Sequence, residues 1–153
     1  MIPKKFFVTS GKAVSPVSSL NAFDLALKKA GIAQCNLVPV TSILPPNCVE
    51  TSRREIPIGA ITYAVMSRMD GEEGTVIGAG IAWAWEKNGK FGLVAEAHGY
   101  MEEKALKEIL EWKIEEMAKI REIELGRIEY RIENMVVPMD HYGCVLAVLV
   151  YLF

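Results

Sequence analysis

A threonine–serine pair, Thr41-Ser42, lies near the end of an apolar, strand-like stretch over residues 35–44 and shortly before a double proline. A hydroxyl in such a stretch needs a hydrogen-bond partner if it is buried. One reaction requires a serine at this place. The Ser42 hydroxyl can attack the Thr41 carbonyl in an N-to-O acyl shift, and β-elimination of the ester followed by hydrolysis leaves a pyruvoyl group at residue 42. The alternative interpretation is a strand end that carries two polar side chains.

Several short segments around this pair occur in a fixed order at close spacing. They are Leu-Asn-Ala-Phe-Asp-Leu-Ala-Leu at 20–27, Ala-Gly-Ile at 30–32, Asn-Leu at 36–37, Ser-Ile-Leu-Pro-Pro at 42–46 and Gly-Leu-Val-Ala-Glu at 92–96. Together they resemble the pyruvoyl-dependent arginine decarboxylase family, from about Leu20 to the C-terminus. One departure concerns the scissile bond, where the family usually has Ser-Ser. Thr41 contributes only the carbonyl that is attacked, although its extra methyl group could slow cleavage.

The resemblance implies an activity, a cofactor and an assembly. The activity is decarboxylation of L-arginine to agmatine and CO2, a step of polyamine biosynthesis. The cofactor is a pyruvoyl group derived from Ser42, which acts as an electron sink in place of pyridoxal phosphate and without a metal. Residues 1–153 form one domain, cleaved into a β chain (1–41) and an α chain (42–153), and the family forms homotrimers with active sites between subunits.

Two other functions remain open. One is a pyruvoyl decarboxylase that acts on another amino acid. The other is an uncleaved paralogue with a structural or regulatory role, and Thr41 in place of serine is the only sequence feature that supports it.

Glu96 is the second residue with catalytic potential. Alternation along residues 93–98 places Val94, Glu96 and His98 on one face of a strand. Burial would raise the pKa of the carboxyl group and keep it protonated near neutrality, as a general acid requires. The resemblance places the family's proton donor at Glu96. The alternative is a charged side chain on an edge strand that faces water.

Three further residues carry roles implied by the resemblance. Asp24 and Leu20, on a predicted helix, would bind the substrate, with the Asp24 carboxylate paired to the guanidinium. Asp24 could instead pair with Lys28 one helical turn later. Asn36 would assist processing by donating to the oxyanion formed at the Thr41 carbonyl. Its alternative is a turn residue after Gly31.

Composition limits the other function classes. The 153 residues suit one domain, and the 51% apolar share leaves surface to be buried between subunits. A net charge of −2 with scattered basic residues argues against nucleic-acid binding. The odd count of three cysteines, without a C-x-x-C pair, predicts free thiols in a reducing cytoplasm and no zinc site. The apolar tail 144–153 is too short to span a membrane.

The predicted elements indicate an α+β fold. The first strand covers residues 6–9 and is followed by a loop over 11–16. A helix runs from Ser18 or Ser19 to Gly31, and strands follow over 35–44, 58–68, 75–86 and 91–98. A long helix over 102–125 ends at Gly126, before strands over 127–137 and 143–152. Neighbouring strands without helices between them predict mainly antiparallel sheets with helices packed outside. The family resemblance implies a four-layer αββα sandwich.

Overall fold

Alternating apolar residues form strands and two amphipathic segments form helices in the computed structural model, which describes residues 1–153. The helices are α1 (Ser19–Ala30) and α2 (Glu103–Ile120). The strands are β1 (Lys5–Ser15), β2 (Asn36–Pro39), β3 (Ile43–Leu44), β4 (Val49–Glu50), β5 (Ile61–Gly71), β6 (Val76–Trp85), β7 (Gly92–Gly99), β8 (Glu129–Val136) and β9 (Tyr142–Leu152).

The strands form two sheets. A five-stranded sheet has the order β2-β5-β9-β1-β4, and a four-stranded sheet has the order β3-β7-β6-β8. Most pairs are antiparallel, and the β6–β7 hairpin closes at the predicted turn over residues 87–90. Two pairs, β1 with β4 and β2 with β5, are parallel.

The core has three apolar interfaces that separate four layers. Helix α1 packs on the outer face of the five-stranded sheet through small buried residues: Ala22, Ala26 and Ala30. The two sheets pack against each other through a second apolar cluster, which includes Phe6, Val65, Ile81 and Leu149. Helix α2 covers the four-stranded sheet with Leu106, Leu110, Ile114 and Ala118. The predicted α+β sandwich of mainly antiparallel sheets with outer helices is therefore confirmed.

The ends of α1 follow the sequence signals. The Ser18 hydroxyl accepts a hydrogen bond of 3.1 Å from the Asn21 N–H, as expected of an N-cap. Gly31 takes a left-handed conformation (φ 79°) and its N–H caps the last turn.

The predicted loop over residues 11–16 is wrong. Strand β1 continues to Ser15 and pairs with β9 along its whole length. Gly11 marks a close approach here, because a Cβ at this position would collide with the backbone carbonyl of Ala26 in α1. The glycine therefore lets a strand pass directly beneath a helix, although its type suggested a loop.

The predicted single strand over residues 35–44 is two strands in different sheets. Strand β2 pairs with β5 in one sheet, and β3 pairs with β7 in the other. The last contact with the first sheet is the Val40 N–H, which donates to the Ala64 carbonyl at 3.0 Å. The first contact with the second sheet is the Ser42 carbonyl, which accepts from the Val94 N–H at 2.8 Å. The chain therefore crosses between the sheets at Thr41-Ser42.

The second helix is shorter than predicted. It ends at Ile120 rather than at Gly126, because Glu122 takes a left-handed conformation (φ 55°) and the Ile123 N–H turns back to the Ala118 carbonyl. This turn lets Ile123 and Leu125 pack against the apolar cluster beneath α2. Neither helix is both long enough and apolar enough to cross a membrane.

Candidate active site

The Thr41–Ser42 peptide bond lies where the chain has left one sheet and has just reached the other. Thr41 is exposed and Ser42 is partly buried. The backbone is held on both sides of the bond, at the Val40 N–H and at the Ser42 carbonyl oxygen. The bond itself lies outside the regular strands, so its carbonyl is not committed to a strand ladder.

Two cavities meet at this crossing, and Thr41 and Ser42 line both. One has a volume of about 400 Å³ and mostly apolar walls, which include Tyr63, Tyr151 and Phe153. The other has a volume of about 550 Å³ and lies between β7 and α2. Its polar walls are Glu96, Lys113 and Glu116, and its apolar walls include Trp112 and Met117. A small amino acid fits the size of this second cavity.

Glu96 shares the second cavity with Ser42. Strand β7 turns Ala95 and Ala97 toward the cluster beneath α2 and Val94 toward the other sheet, which confirms the predicted alternation. The Glu96 side chain is exposed in the single chain. Partial desolvation nevertheless raises the pKa of its carboxyl group, against the positive charges of His98 and Lys113, which lower it. The shift has the direction that a proton donor needs.

Lys113 also contacts this strand directly. Its Nζ donates a hydrogen bond of 2.9 Å to the backbone carbonyl of Glu96. The bond ties α2 to the edge of β7, where β3 no longer covers the strand. Lys113 and Trp112 could not be identified from the sequence, because they occupy ordinary exposed positions of an amphipathic helix.

Asn36 lies at the start of β2 and is exposed. Its side-chain amide donates a hydrogen bond of 3.0 Å to the Gly59 carbonyl. Asn36 lines neither of the two cavities at Ser42. Asn36 is a strand residue rather than the turn residue of the alternative interpretation. The role in processing remains a prediction.

Asp24 and Leu20 lie on the exposed side of α1, in the outer layer of the fold. Leu20 is 71% exposed, and neither residue lines the cavities at Ser42. No ion pair joins Asp24 to Lys28. A single chain therefore brings Ser42 and Glu96 together but leaves the predicted substrate-binding residues on a separate surface.

A polar cluster fixes α1 to β5, and its residues could not be identified from the sequence as partners. The Arg68 guanidinium makes two hydrogen bonds to the Asp70 carboxylate, at 2.9 and 2.8 Å, and stacks 3.5 Å from the centre of the Phe23 ring. The Ser19 hydroxyl donates to the same carboxylate at 3.2 Å. Desolvation opposes ionisation of Asp70, but these hydrogen bonds outweigh it and lower the pKa of Asp70. The cluster orients the helix that carries Asp24.

His98 is exposed and His141 is partly buried. His98 follows Glu96 on β7, and the His141 ring lies 2.8 Å from the Met139 carbonyl through its Nδ1. No group of three or more His, Cys, Asp or Glu side chains is arranged to hold a metal ion.

Known proteins match this chain along most of its length. A family model described as pyruvoyl-dependent arginine decarboxylase covers residues 5–153. A pyruvoyl-dependent arginine decarboxylase of Thermococcus kodakarensis is 31% identical over 150 residues, which are 97% of this chain and 94% of that protein. The Methanopyrus kandleri protein of the same name is 36% identical over 120 residues, which are 78% and 77% of the two chains.

Other relatives are matched over a shorter region. Pyruvoyl-dependent arginine decarboxylase 1 of Methanosarcina acetivorans is 37% identical over 108 residues, or 67% of this chain. The matched region is 65% of that relative and 60% of the one from Methanococcoides burtonii, which is less than two thirds of their length. The family model nevertheless spans both sheets, both helices and the Ser42–Glu96 cavity, and the chain belongs to the pyruvoyl-dependent arginine decarboxylase family.

Proposed function

We propose that this protein cleaves itself between Thr41 and Ser42 and then decarboxylates L-arginine to agmatine and CO2, a step of polyamine biosynthesis. The observation that carries the proposal is the shared cavity of Ser42 and Glu96 at the crossing between the sheets. Family membership supports the pyruvoyl chemistry and arginine as the substrate. The names of the relatives agree with that substrate.

The self-cleavage uses only atoms of the chain and one water molecule. The Ser42 Oγ bonds to the Thr41 carbonyl carbon, the amide C–N bond breaks, and the hydroxyl proton ends on the freed amine. β-Elimination then removes the Cα proton of residue 42 to solvent, forms the double bond between Cα and Cβ, and breaks the bond between Cβ and Oγ, which releases the Thr41 carboxylate. Hydrolysis of the remaining unsaturated amine releases ammonia and leaves a ketone at residue 42.

The residues around Ser42 suit such a group. A pyruvoyl group supplies a ketone that condenses with the α-amine of the substrate and a conjugated carbonyl that accepts electrons as CO2 leaves. That conjugated carbonyl is the present carbonyl of Ser42, whose oxygen accepts the hydrogen bond from the Val94 N–H. A preorganised donor at this oxygen stabilises negative charge that develops there. Glu96, in the same cavity, would donate the proton to the α-carbon of the substrate, and its raised pKa has the direction that this role needs.

Asn36 is proposed to assist the cleavage step. Its side-chain amide has two N–H groups, and the contact with the Gly59 carbonyl uses one of them. The second N–H would be the donor to the oxyanion that forms at the Thr41 carbonyl.

Recognition of the guanidinium is proposed to involve two copies of the chain. Asp24 and Leu20 are exposed and lie away from the cavities at Ser42 of their own chain. A homotrimer in which α1 of one subunit faces the Ser42 cavity of the next would unite the two sets. The three cysteines are all unpaired, which agrees with a protein that works in the reducing cytoplasm.

Intact-mass measurement of the wild type and of Ser42→Ala tests the proposed function. We expect two fragments from the wild type, residues 1–41 and a ketone-bearing 42–153, and one intact chain from Ser42→Ala, because the variant lacks the nucleophile. Ser52→Ala, which removes a hydroxyl from an exposed loop residue, is the matched control and should cleave like the wild type. A wild type that keeps an ordinary serine at residue 42 after long incubation would instead support the uncleaved paralogue.

A further inference from the structure

Tyr151 reaches from one sheet to the cleavage segment of the other. It lies on β9, in the five-stranded sheet, and is only 6% exposed within the cluster between the sheets. Its hydroxyl donates a hydrogen bond of 2.7 Å to the backbone carbonyl of Ile43. Tyr151 also lines the smaller cavity together with Thr41 and Ser42. The hydroxyl of a buried tyrosine is thus hydrogen-bonded to the residue directly after the proposed nucleophile, Ser42.

The segment that follows Ser42 has few other restraints. Strand β3 contains only Ile43 and Leu44, and it pairs with a single neighbour, β7. Before it, the Ser42 carbonyl accepts from the Val94 N–H, and after it the chain reaches Pro45, which lacks an N–H. The Tyr151 hydroxyl therefore adds a hydrogen bond from the five-stranded sheet to a stretch whose only strand partner is β7.

Two successive carbonyls are fixed from two sheets. The Val94 N–H holds the Ser42 oxygen from within the four-stranded sheet, and Tyr151 holds the Ile43 oxygen from the five-stranded sheet. The Val94 N–H restrains the peptide plane between Ser42 and Ile43, and Tyr151 restrains the next plane, between Ile43 and Leu44. With the Val40 N–H bonded on the other side, these restraints set the position of the Ser42 backbone, from which the Ser42 Oγ must reach attack distance of the Thr41 carbonyl carbon.

The tyrosine remains a donor over a wide pH range. Burial, and to a smaller degree the nearby Cys48 thiol, raises the pKa of Tyr151 to about 12. The hydroxyl therefore keeps its proton under any condition in which the protein would cleave.

We propose that Tyr151 is a positioning residue for the self-cleavage, which it promotes by holding the Ile43 carbonyl and thereby aiming the Ser42 hydroxyl at Thr41. This inference rests on the proposed function, because it concerns the same cleavage. Tyr151 does not touch the reacting atoms, and its effect is on the rate at which the chain processes itself.

A time course of newly translated full-length chains tests this role. We expect Tyr151→Phe to cleave about tenfold more slowly than the wild type, the factor expected from loss of one hydrogen bond that aligns the reacting groups. Thr9→Val is the matched control. Its hydroxyl also donates from the five-stranded sheet to a buried backbone carbonyl, that of Ala30, at 2.8 Å. The control should cleave at the wild-type rate even if it loses as much stability.

Hydroxylamine separates positioning from a later chemical step. It attacks the ester at the Thr41 carbonyl and releases the two fragments without β-elimination. If Tyr151 aims the nucleophile, Tyr151→Phe forms less ester, and release by hydroxylamine slows by the same factor. Larger release from Tyr151→Phe than from the wild type would overturn the proposal, because ester would then accumulate before a slowed elimination.

The remaining outcomes distinguish this inference from the proposed function. A wild type that cleaves alongside an equally fast Tyr151→Phe overturns the role of Tyr151 alone. Equal slowing in Thr9→Val also overturns it, because general destabilisation would then explain the result. A wild type that never cleaves overturns both proposals.

Discussion

At the scale of single residues, the proposed role of Glu96 depends on the pKa of its carboxyl group. As the proposed proton donor it must be protonated when CO2 leaves, and desolvation in the cavity raises its pKa in that direction. Glu96→Gln keeps the shape but removes the acidic proton. We expect turnover of the fully cleaved variant to fall by roughly two to four orders of magnitude, measured as agmatine formation.

The pH profile provides an independent check on Glu96. The protonated fraction is lost as the pH rises through the raised pKa, so the wild-type rate should fall on the alkaline side of that value. Glu96→Gln should lack this step, whereas Glu115→Gln, on the outer side of α2, should retain it. Near-normal agmatine formation by cleaved Glu96→Gln would exclude Glu96 as the donor.

Some candidate site residues stand out in the sequence and others do not. Ser42 and Glu96 stand in short local patterns, and the structure brings both to one cavity. Tyr151 had only a weak signal, a polar tip within an apolar strand, which indicates that a hydrogen-bond partner exists but not which one it is. That partner, Ile43, is 108 residues away and depends on how two sheets pack. Trp112 and Lys113 line the cavity only because α2 packs beside β7, a contact between distant parts of the sequence that a local pattern does not indicate.

At the scale of elements, Gly11 determines how closely β1 and α1 pack. A Cβ there would meet the Ala26 carbonyl and would lie 3.2 Å from the Ala30 nitrogen, both of which belong to helix backbone and cannot rotate away. We expect Gly11→Ala to lower the free energy of unfolding by about 3 kcal/mol, measured by denaturant titration. Gly126→Ala is the control, because its Cβ would find only an ordinary contact of 3.6 Å. Equal stability of the two variants would contradict this account.

The same glycine shows why some predicted elements were wrong. Gly11 and its neighbours have the composition of a loop, but pairing with β9 and the overlying helix impose a strand. Residues 35–44 have the composition of one strand, and only competition between two sheets divides them. The α1 boundaries were predictable because Ser18 and Gly31 act locally.

At the scale of the whole molecule, the separation of Asp24 from Ser42 predicts how the subunits cooperate. Asp24→Asn should leave the cleaved ketone intact and raise the KM for arginine. Loss of one charge-assisted hydrogen bond, about 1.5–3 kcal/mol, corresponds to roughly 10- to 100-fold. Steady-state comparison of arginine, ornithine and lysine on the wild type and the variant measures this effect. An unchanged KM for arginine would show that Asp24 does not bind the guanidinium.

Co-expression tests whether Asp24 acts across subunits. In mixed assemblies, an Asp24→Asn chain supplies Ser42 and a Ser42→Ala chain supplies Asp24. Activity at low arginine should exceed that of either variant alone if the site combines two copies. The double variant Asp24→Asn, Ser42→Ala, co-expressed with Asp24→Asn, is the control and should give no gain. Absence of any gain in the first mixture would contradict a shared site.

The position of the Thr41–Ser42 bond has a consequence for what cleavage does to the fold. The five-stranded sheet would become a composite of two polypeptides, with β2 and β1 from residues 1–41 interleaved with β5, β9 and β4 from residues 42–153. Three strand pairings, β2 with β5, β9 with β1 and β1 with β4, would then join separate chains. Neither fragment could leave without breaking all three. Folding would be unimolecular before the cut, whereas refolding from the two separated fragments would be bimolecular after it, so that the cleaved protein gains stability with its own concentration.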